Sequence, residues 1–473
     1  MNVLFIETDQ LSAKWLGCYG NPSAHTPHLD RLAERGVRFE NCFSNLPVCM
    51  PARASTITGR SAQHHGVPYN SWELGLELAT FPQVLQQNGV QTFGAGKFHL
   101  ECHGHDAYND VTKYGFDCAA TTEDIRVGDW LDWVEREHPG CYEQALATCW
   151  PMPHTAEYGP AKRDLRAEIL AAKKEHPPRE AAHITYPSLV PEEVCQTTWV
   201  VDRGLGFLDD RDRSQPFFLK VSFVDPHAPY DPPERFLDFI DPDQVPSPVV
   251  PDESTAQVLA KFDEVKFVQR FEPMSTEDWR TMRRYYFAST AFVDEQVGRL
   301  LAYLDEQNLA DDTLIIFTAD HGDMMGDHGL PTKGAWHLDA CMRVPLIVAG
   351  PGGQQGAAVE QVVTNLDMFP TVSDYCEAGH DVPVEGLSLR PLIESTGRLD
   401  RPDAALVETY GSYADTSPSI RARSVATPDA RLTLFGDGTG LLFDTRQDPD
   451  ETTNLFGAPP ARHLESRLKD VML

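Results

Sequence analysis

The sequence predicts an α/β protein with a large, mainly parallel sheet sandwiched by helices. A smaller C-terminal α+β unit containing an antiparallel sheet follows it. Three observations carry that prediction. Short, continuously apolar, β-rich runs alternate with stretches of helical period up to about residue 385, the pattern of a sheet covered on both faces. From about residue 386 the pattern changes to short strand-like runs separated by turn residues. No GxGxxG follows a strand, so a dinucleotide-binding fold has no support.

Taken in order, residues 2–8 (NVLFIET) read as a strand buried on both faces, and residues 28–34 (HLDRLAE) as a helix. Helical period returns at 80–88, and a short apolar run occupies 90–95. Between about 117 and 195 the pattern loosens: Trp130, Trp133, Trp150, several prolines and a charged helix over 161–174 read as an insertion over the sheet edge. Residues 217–223 (FFLKVSF) form the next buried strand, and a Pro- and Asp-rich loop spans 231–253. Long irregular segments of this kind commonly cover an active site or make a subunit contact. A long helix over 286–308 precedes strands at 313–318 (TLIIFT) and 345–349 (PLIVA). In the C-terminal unit, 405–409, 419–426, 431–435 and 440–444 read as short antiparallel strands and 461–472 as a final helix. The division is therefore 1–385 and 386–473.

The chain has 473 residues, 41% of them apolar and 23% charged, which fits a soluble globular protein and excludes a disordered or collagen-like one. No apolar run approaches the ~18 residues of a membrane helix. Lys plus Arg is 40 against Asp plus Glu 71, a net charge of −31, so phosphate backbones and anionic membranes are repelled. Any positive charge that captures an anion has to be concentrated locally. Residues 1–9 show no basic leader or cleavage site, and the ten cysteines include no CxxC pair. Both point to a cytoplasmic protein with reduced thiols.

Three constellations carry chemistry. The first is Cys49-Met50-Pro51-Ala52-Arg53, continuing to Thr58-Gly59-Arg60. Taken alone, a Cys before Pro in a turn leading into a helix reads as a small buried residue. At a helix N-terminus, however, a thiol-derived group sits in the positive end of the dipole, and Arg53 can hold an anion beside it. The second pairs Asp9-Gln10 after the first strand with Asp320-His321 after the strand at 313–318. Each dipeptide alone reads as a turn cap; together they offer two carboxylates, an amide oxygen and an imidazole at the carboxyl ends of strands, where open α/β sheets place their sites. Oxygen ligands favour Ca²⁺ and a nitrogen ligand suits Mn²⁺, and both stay open.

The third set is Arg53, Lys97, His99, His227 and Lys333. Singly these read as solvated side chains. Lys97 and His99 lie two apart on one face of an extended segment, His227 follows a buried strand, and Lys333 lies twelve residues past His321. All converge at one sheet edge as a local positive field. His65, Asn70 and His328 are candidates to line a substrate pocket. His99, Cys102, His103, His105 and Asp106 fit no closed tetrahedral zinc spacing.

Cys49-x-Pro51-x-Arg53 with Thr58-Gly59-Arg60 resembles the signature of the type I, formylglycine-dependent sulfatases of the alkaline phosphatase superfamily. The likeness recurs at the N-terminal strand, Gly96-Lys97-Phe98-His99, Asp225-Pro226-His227, Thr318-Ala319-Asp320-His321-Gly322 and Lys333. It continues to Leu442-Phe443-Asp444 and the segment from Asp448 to Leu455, and so covers nearly the whole chain. Gln10 and His321 stand where many sulfatases carry Asp and Asn, a variant similar to the choline-sulfatase and phosphonate monoester hydrolase branch.

The resemblance implies an alkaline-phosphatase-like sheet and an arylsulfatase-like sulfuric ester hydrolase. It implies that Cys49 is oxidised to Cα-formylglycine, whose hydrated aldehyde is the nucleophile, and that one divalent ion is held by Asp9, Gln10, Asp320, His321 and residue 49. It further implies that Arg53 and Lys97 hold the nucleophile and the sulfate oxygens, that His227 or Lys333 protonates the leaving alcohol, and that His99 takes the proton in the second step. The implied partners are a small-molecule sulfate ester, a formylglycine-generating maturation enzyme and further copies of the chain in a dimer or tetramer. Two other readings are a phosphonate monoester or phosphodiester hydrolase with the same machinery, and a non-catalytic anion- or metal-binding protein with an unmodified Cys49.

Overall fold

A computed structural model of the chain describes residues 1–70, 72–101, 109–158, 162–177, 184–264, 274–395, 397–411 and 418–472. Its centre is an eight-stranded sheet in the order β5 (Cys118–Thr121), β4 (Gln91–Gly96), β6 (Phe217–Ser222), β1 (Asn2–Thr8), β7 (Thr313–Ala319), β8 (Leu346–Ala349), β2 (Val37–Phe39), β9 (Ala357–Val359), numbered along the chain. β1 lies in the middle, between β6 and β7, and all three are buried along nearly their whole length, as their continuous apolar runs require. The parallel registers align their carboxyl ends: Glu7 and Gly96 each pair with Ser222, and Thr8 pairs with Ala319. The residues that leave these strands, Asp9, Lys97, Phe223 and Asp320, therefore emerge at one edge.

Seven strands run one way and β8 runs antiparallel to both β7 and β2, the one reversal in the mainly parallel sheet that the sequence predicts. Between Ala319 and Leu346 the chain forms a single 3-10 turn, Asp327–Gly329, and the four-residue helix Asp339–Met342, and no covering helix. It therefore stays at the carboxyl edge and re-enters the sheet from there. One difference concerns the insertion: its first residues form β5, the edge strand, before the helices Asp129–Glu137, Tyr142–Thr148 and Leu165–Glu175 begin. Trp130 in the first of these is 1% exposed and donates from Nε1 to Val194 O, so it packs. The long helix begins at Thr276, ten residues before the sequence reading placed it, because Ser275 and Asp278 form a capping box. Its Tyr286 hydroxyl donates to Gln10 O at 2.7 Å.

Two smaller sheets complete the architecture: β3 (Cys42–Phe43) with β10 (Val363–Thr364), and an antiparallel sheet β11 (Ala405–Thr409), β12 (Ala422–Ala426), β13 (Ala430–Phe435), β14 (Gly440–Asp444). The helix Arg462–Met472 covers the latter through Leu468, which packs with Val425, Leu432 and Leu442. This sheet grips the segment between β7 and β8. His337 is hydrogen-bonded to Ser424 Oγ at 2.7 Å and Thr409 Oγ1 at 2.6 Å, and Arg431 pairs with Asp339 at 3.1 Å and with Glu451. None of the described helices is long and apolar enough to cross a membrane, and none of the nine described cysteines is in a disulfide.

Gly96 closes β4 with φ +103°, and a Cβ there would lie 1.8 Å from Ser222 O. The Gly96→Ala variant should lose at least ~2 kcal/mol of stability, read as a lowered thermal midpoint, because neither the positive φ nor the β4–β6 spacing can give. Gly89→Ala, with a positive φ but nothing within 4 Å of its Cβ, should cost less.

Candidate active site

Cys49 opens the helix Cys49–Thr58, all ten residues of which are buried. Pro51 is tolerated because first-turn amides have no intrahelical acceptor. The helix ends on Gly59 at φ +64°, whose N–H donates to Ser55 O. Asn70 Oδ1 accepts from Met50 N at 2.9 Å and satisfies one of the first-turn donors. This element brings Cys49 Sγ to 3.1 Å from His321 Nε2 and 3.9 Å from Asp9 Oδ1.

Asp9, Cys49, Asp320 and His321 each present one ligand atom, all within 4.8 Å of one another and fully buried. His321 Nε2 stands 3.7 Å from Asp9 Oδ1 and 3.7 Å from Asp320 Oδ1. These gaps are too long for hydrogen bonds, but ligands sharing one divalent ion with bonds of ~2.0–2.6 Å sit roughly 3–4 Å apart. His321 Nδ1 lies 2.9 Å from Gly322 O, an acceptor only, so Nδ1 carries a proton and Nε2 is the ring nitrogen that faces the cluster. The donor set fits a divalent cation. Gln10, at φ +68°, adds a carboxamide whose Oε1 accepts from Lys333 Nζ at 2.5 Å.

Arg53 is buried beneath this group. Its Nε donates to Asp320 Oδ2 at 2.8 Å, and Nη1 to Glu7 Oε2, Lys97 O and Ser222 Oγ, each at 2.9 Å. Nη2 reaches Asp9 Oδ2 at 3.4 Å. The fork is directed into the protein, toward the carboxylates of Glu7, Asp9 and Asp320. Lys97 Nζ lies 2.5 Å from Asp9 Oδ2 and 3.5 Å from Asp124 Oδ2, and Lys220 Nζ lies 2.8 Å from Glu7 Oε2. Burial alone would raise the Asp9 carboxyl, but Lys97 and Arg53 beside it hold it well below the usual range. Burial opposes the charge on Lys97 too, and Asp124 and Asp9 outweigh it and push the ammonium well up. Burial and Asp9 push the Cys49 thiol up, while Lys333, Lys97 and His321 more than offset them, leaving it below its ordinary value.

At the next corner, His227 Nδ1 lies 2.7 Å from Ala228 O and Nε2 lies 2.6 Å from Lys333 Nζ. A carbonyl accepts and an ammonium donates, so His227 is neutral with its proton on Nδ1. Burial and the Lys333 charge lower its pKa to about 3.

The structure thus gathers Asp9, Gln10, Cys49, Arg53, Lys97, His227, Asp320, His321 and Lys333. His99 lies in the turn after β4 at φ +47°, its N–H donating to Glu123 Oε1 at 2.9 Å. The three pocket candidates each have a hydrogen-bonding partner within the protein. His65 bonds Ser55 Oγ and Val67 N through its two ring nitrogens, Asn70 holds the Met50 amide, and His328 Nε2 contacts Glu451 O. Cys102, His103, His105 and Asp106 lie outside the described residues. Sequence reading missed Glu7, Asp124, Lys220 and Asp323. A charge inside each of the apolar runs NVLFIET and FFLKVSF was the available signal for Glu7 and Lys220, since buried charges need partners.

Truncating Arg53 strands three buried carboxylates. Arg53→Ala should cost about 3–5 kcal/mol in thermal or urea unfolding. Arg136→Ala, on an exposed pair, should stay within ~0.5 kcal/mol of the unaltered protein.

Residues 1–378 match the sulfatase family, and residues 326–473 match the C-terminal family of N-sulphoglucosamine sulphohydrolase. An arylsulfatase of Clostridium perfringens is 29% identical over 100% of this chain and 93% of its own length. A choline-sulfatase of Rhizobium meliloti is 28% identical over 97% of this chain and 83% of its own. The crystal structure of a phosphonate monoester hydrolase of Agrobacterium radiobacter superposes with a TM-score of 0.82 at 25% identity, covering 100% of this chain and 96% of that one.

Proposed function

The chain belongs to the sulfatase family and is a sulfuric ester hydrolase, and from that premise we propose that it cleaves a sulfate monoester with a Cα-formylglycine made from Cys49 and one divalent ion. The observation that supports this most is the buried convergence of Asp9, Cys49, Asp320 and His321 at the aligned ends of β1 and β7. Asp9, Asp320, His321, residue 49 and Gln10 would hold the ion, and an imidazole nitrogen among the ligands favours an ion such as Mn²⁺ over Ca²⁺. The ion and the aldehyde together supply a hydrated nucleophile at neutral pH and positive charge toward the sulfate oxygens.

The surrounding residues divide the remaining work. Arg53 locks Asp9 and Asp320 in place from below. Lys97, kept charged by Asp9 and Asp124, contributes the positive field for an anion. Breaking a sulfate ester leaves charge on the departing oxygen, and a donor there stabilises it. His227 already accepts a proton at Nε2, so Lys333 is the donor at that corner and His227 orients it. The reading also calls for a separate enzyme that oxidises Cys49 and for a homo-oligomer. Phosphonate monoester or phosphodiester hydrolysis is the second reading, favoured by the likeness to the phosphonate monoester hydrolase structure.

Lys333→Ala should lower kcat by ~10²–10⁴-fold on an alkyl sulfate and much less on a nitrophenyl sulfate, whose leaving group needs no proton. Equal losses on both would remove Lys333 from the donor role. Turnover of an aryl sulfate, a phenylphosphonate monoester and a phosphodiester by one preparation tests the substrate class. Sulfate should lead, and a large excess for either phosphorus ester reverses the order. Peptide mass spectrometry across residue 49 of protein from its native host should find the aldehyde, and a chelator should abolish turnover. An unmodified thiol with no ester turned over would leave the non-catalytic reading.

A further inference from the structure

One buried carboxylate beside the site has no part in the chemistry above. Asp323 follows His321 by two residues and is 0% exposed. Its Oδ2 accepts from Gln10 Nε2 at 2.6 Å and from the Tyr230 hydroxyl at 2.8 Å, and its Oδ1 accepts from Met325 N at 2.9 Å. The other end of the same Gln10 carboxamide, Oε1, takes the proton of Lys333 Nζ at 2.5 Å, and that ammonium also meets His227 Nε2 at 2.6 Å. Tyr230, Asp323, Gln10, Lys333 and His227 therefore form one continuous hydrogen-bonded line across the floor of the site.

The line has a polarity. A carboxamide is nearly symmetric in shape, and its two ends differ only in that one donates and the other accepts. Here it lies between a carboxylate and an ammonium. Turning it over would set the NH₂ against the NH₃⁺ and the C=O against the carboxylate, losing both hydrogen bonds to like-against-like contacts. We infer that Asp323 is a positioning residue that fixes which end of the Gln10 carboxamide faces inward. It keeps the oxygen available to a cation and holds Lys333 in register with His227. The cation half of this inference rests on the reading of the site as a divalent-ion centre; the Lys333 half does not.

The test uses the full chain and two variants. Asp323→Asn is nearly isosteric but removes the charge and leaves one acceptor oxygen for the three donors at Gln10, Tyr230 and Met325, so it weakens the hold on the carboxamide's orientation. Gln10→Glu makes that side chain a symmetric acceptor, with no orientation to lose. Calorimetric titration with Mn²⁺ should show Asp323→Asn weakening binding by tenfold or more. The double variant Asp323→Asn/Gln10→Glu should recover to within about threefold of the unaltered protein. A role confined to stability would lower the melting midpoint of both variants and give no such rescue. A crystal structure of Asp323→Asn should show Lys333 Nζ moved beyond hydrogen-bond distance of the residue 10 side chain. Unchanged Mn²⁺ affinity, or a failed rescue in a folded double variant, overturns the cation half. A retained Lys333 contact overturns the other. If the unaltered protein takes up neither Mn²⁺ nor Ca²⁺, the divalent-ion reading fails with the cation half, and the Lys333 distance alone decides what is left.

Discussion

Arg53 carries a full positive charge with none of its surface exposed, and five polar groups from four parts of the chain close on it. A buried cation is tolerable only when its hydrogen-bonding capacity is met by charge of the opposite sign. That demand fixes geometry. Glu7 comes from β1 and Asp9 from just past its end, Asp320 from the end of β7, the Lys97 carbonyl from the end of β4 and the Ser222 hydroxyl from β6. The guanidinium sits one turn into the Cys49 helix, so satisfying it also sets how far residue 49 stands from the strand ends. The placement of the carboxylates and that of residue 49 thus follow from one electrostatic requirement. The net charge of −31 makes the local inversion of sign sharper: Arg53, Lys97, Lys220 and Lys333 are clustered where the carboxylates already are.

The small C-terminal sheet acts on the same centre from a distance. Between β7 and β8 the chain has no covering helix, yet this stretch carries Asp320, His321, Asp323 and Lys333. What stiffens it comes from outside: His337 is held by β11 and β12, and Asp339 by Arg431 together with the Glu451 contact to its amide. The antiparallel sheet is thus a clamp on a loop that local hydrogen bonding alone would leave loose.

The strands at the centre and the residues at their tips were legible because both leave local marks. A run such as TLIIFT is buried on both faces whatever its neighbours do, and Asp320-His321 follows it directly. The direction of β8 left no such mark, being decided by what the chain does over the preceding 26 residues. Three-residue strands such as Val37–Phe39 and Ala357–Val359 are too short for any period to register. The early start of the long helix was signalled by Ser275 and Asp278, although the polar residues that follow obscure it. Within the site, Asp323 and Asp124 lie in polar turns where an aspartate ordinarily caps, and their partners Gln10, Tyr230, Lys97 and His227 are far away in sequence. Roles that exist only through long-range partners have no local signature.

The separation of Cys49 from what encloses it has a consequence in time. Arg53 and Asp320 are 267 residues apart, and Cys49 and His321 are 272 apart. At ~5–20 residues per second on the ribosome, that interval is on the order of 15 to 50 s. Throughout it the nascent thiol lacks the strand end that seals it at 0% exposure in the finished protein. Any enzyme that is to work on this cysteine meets an open substrate during translation and a closed one afterwards.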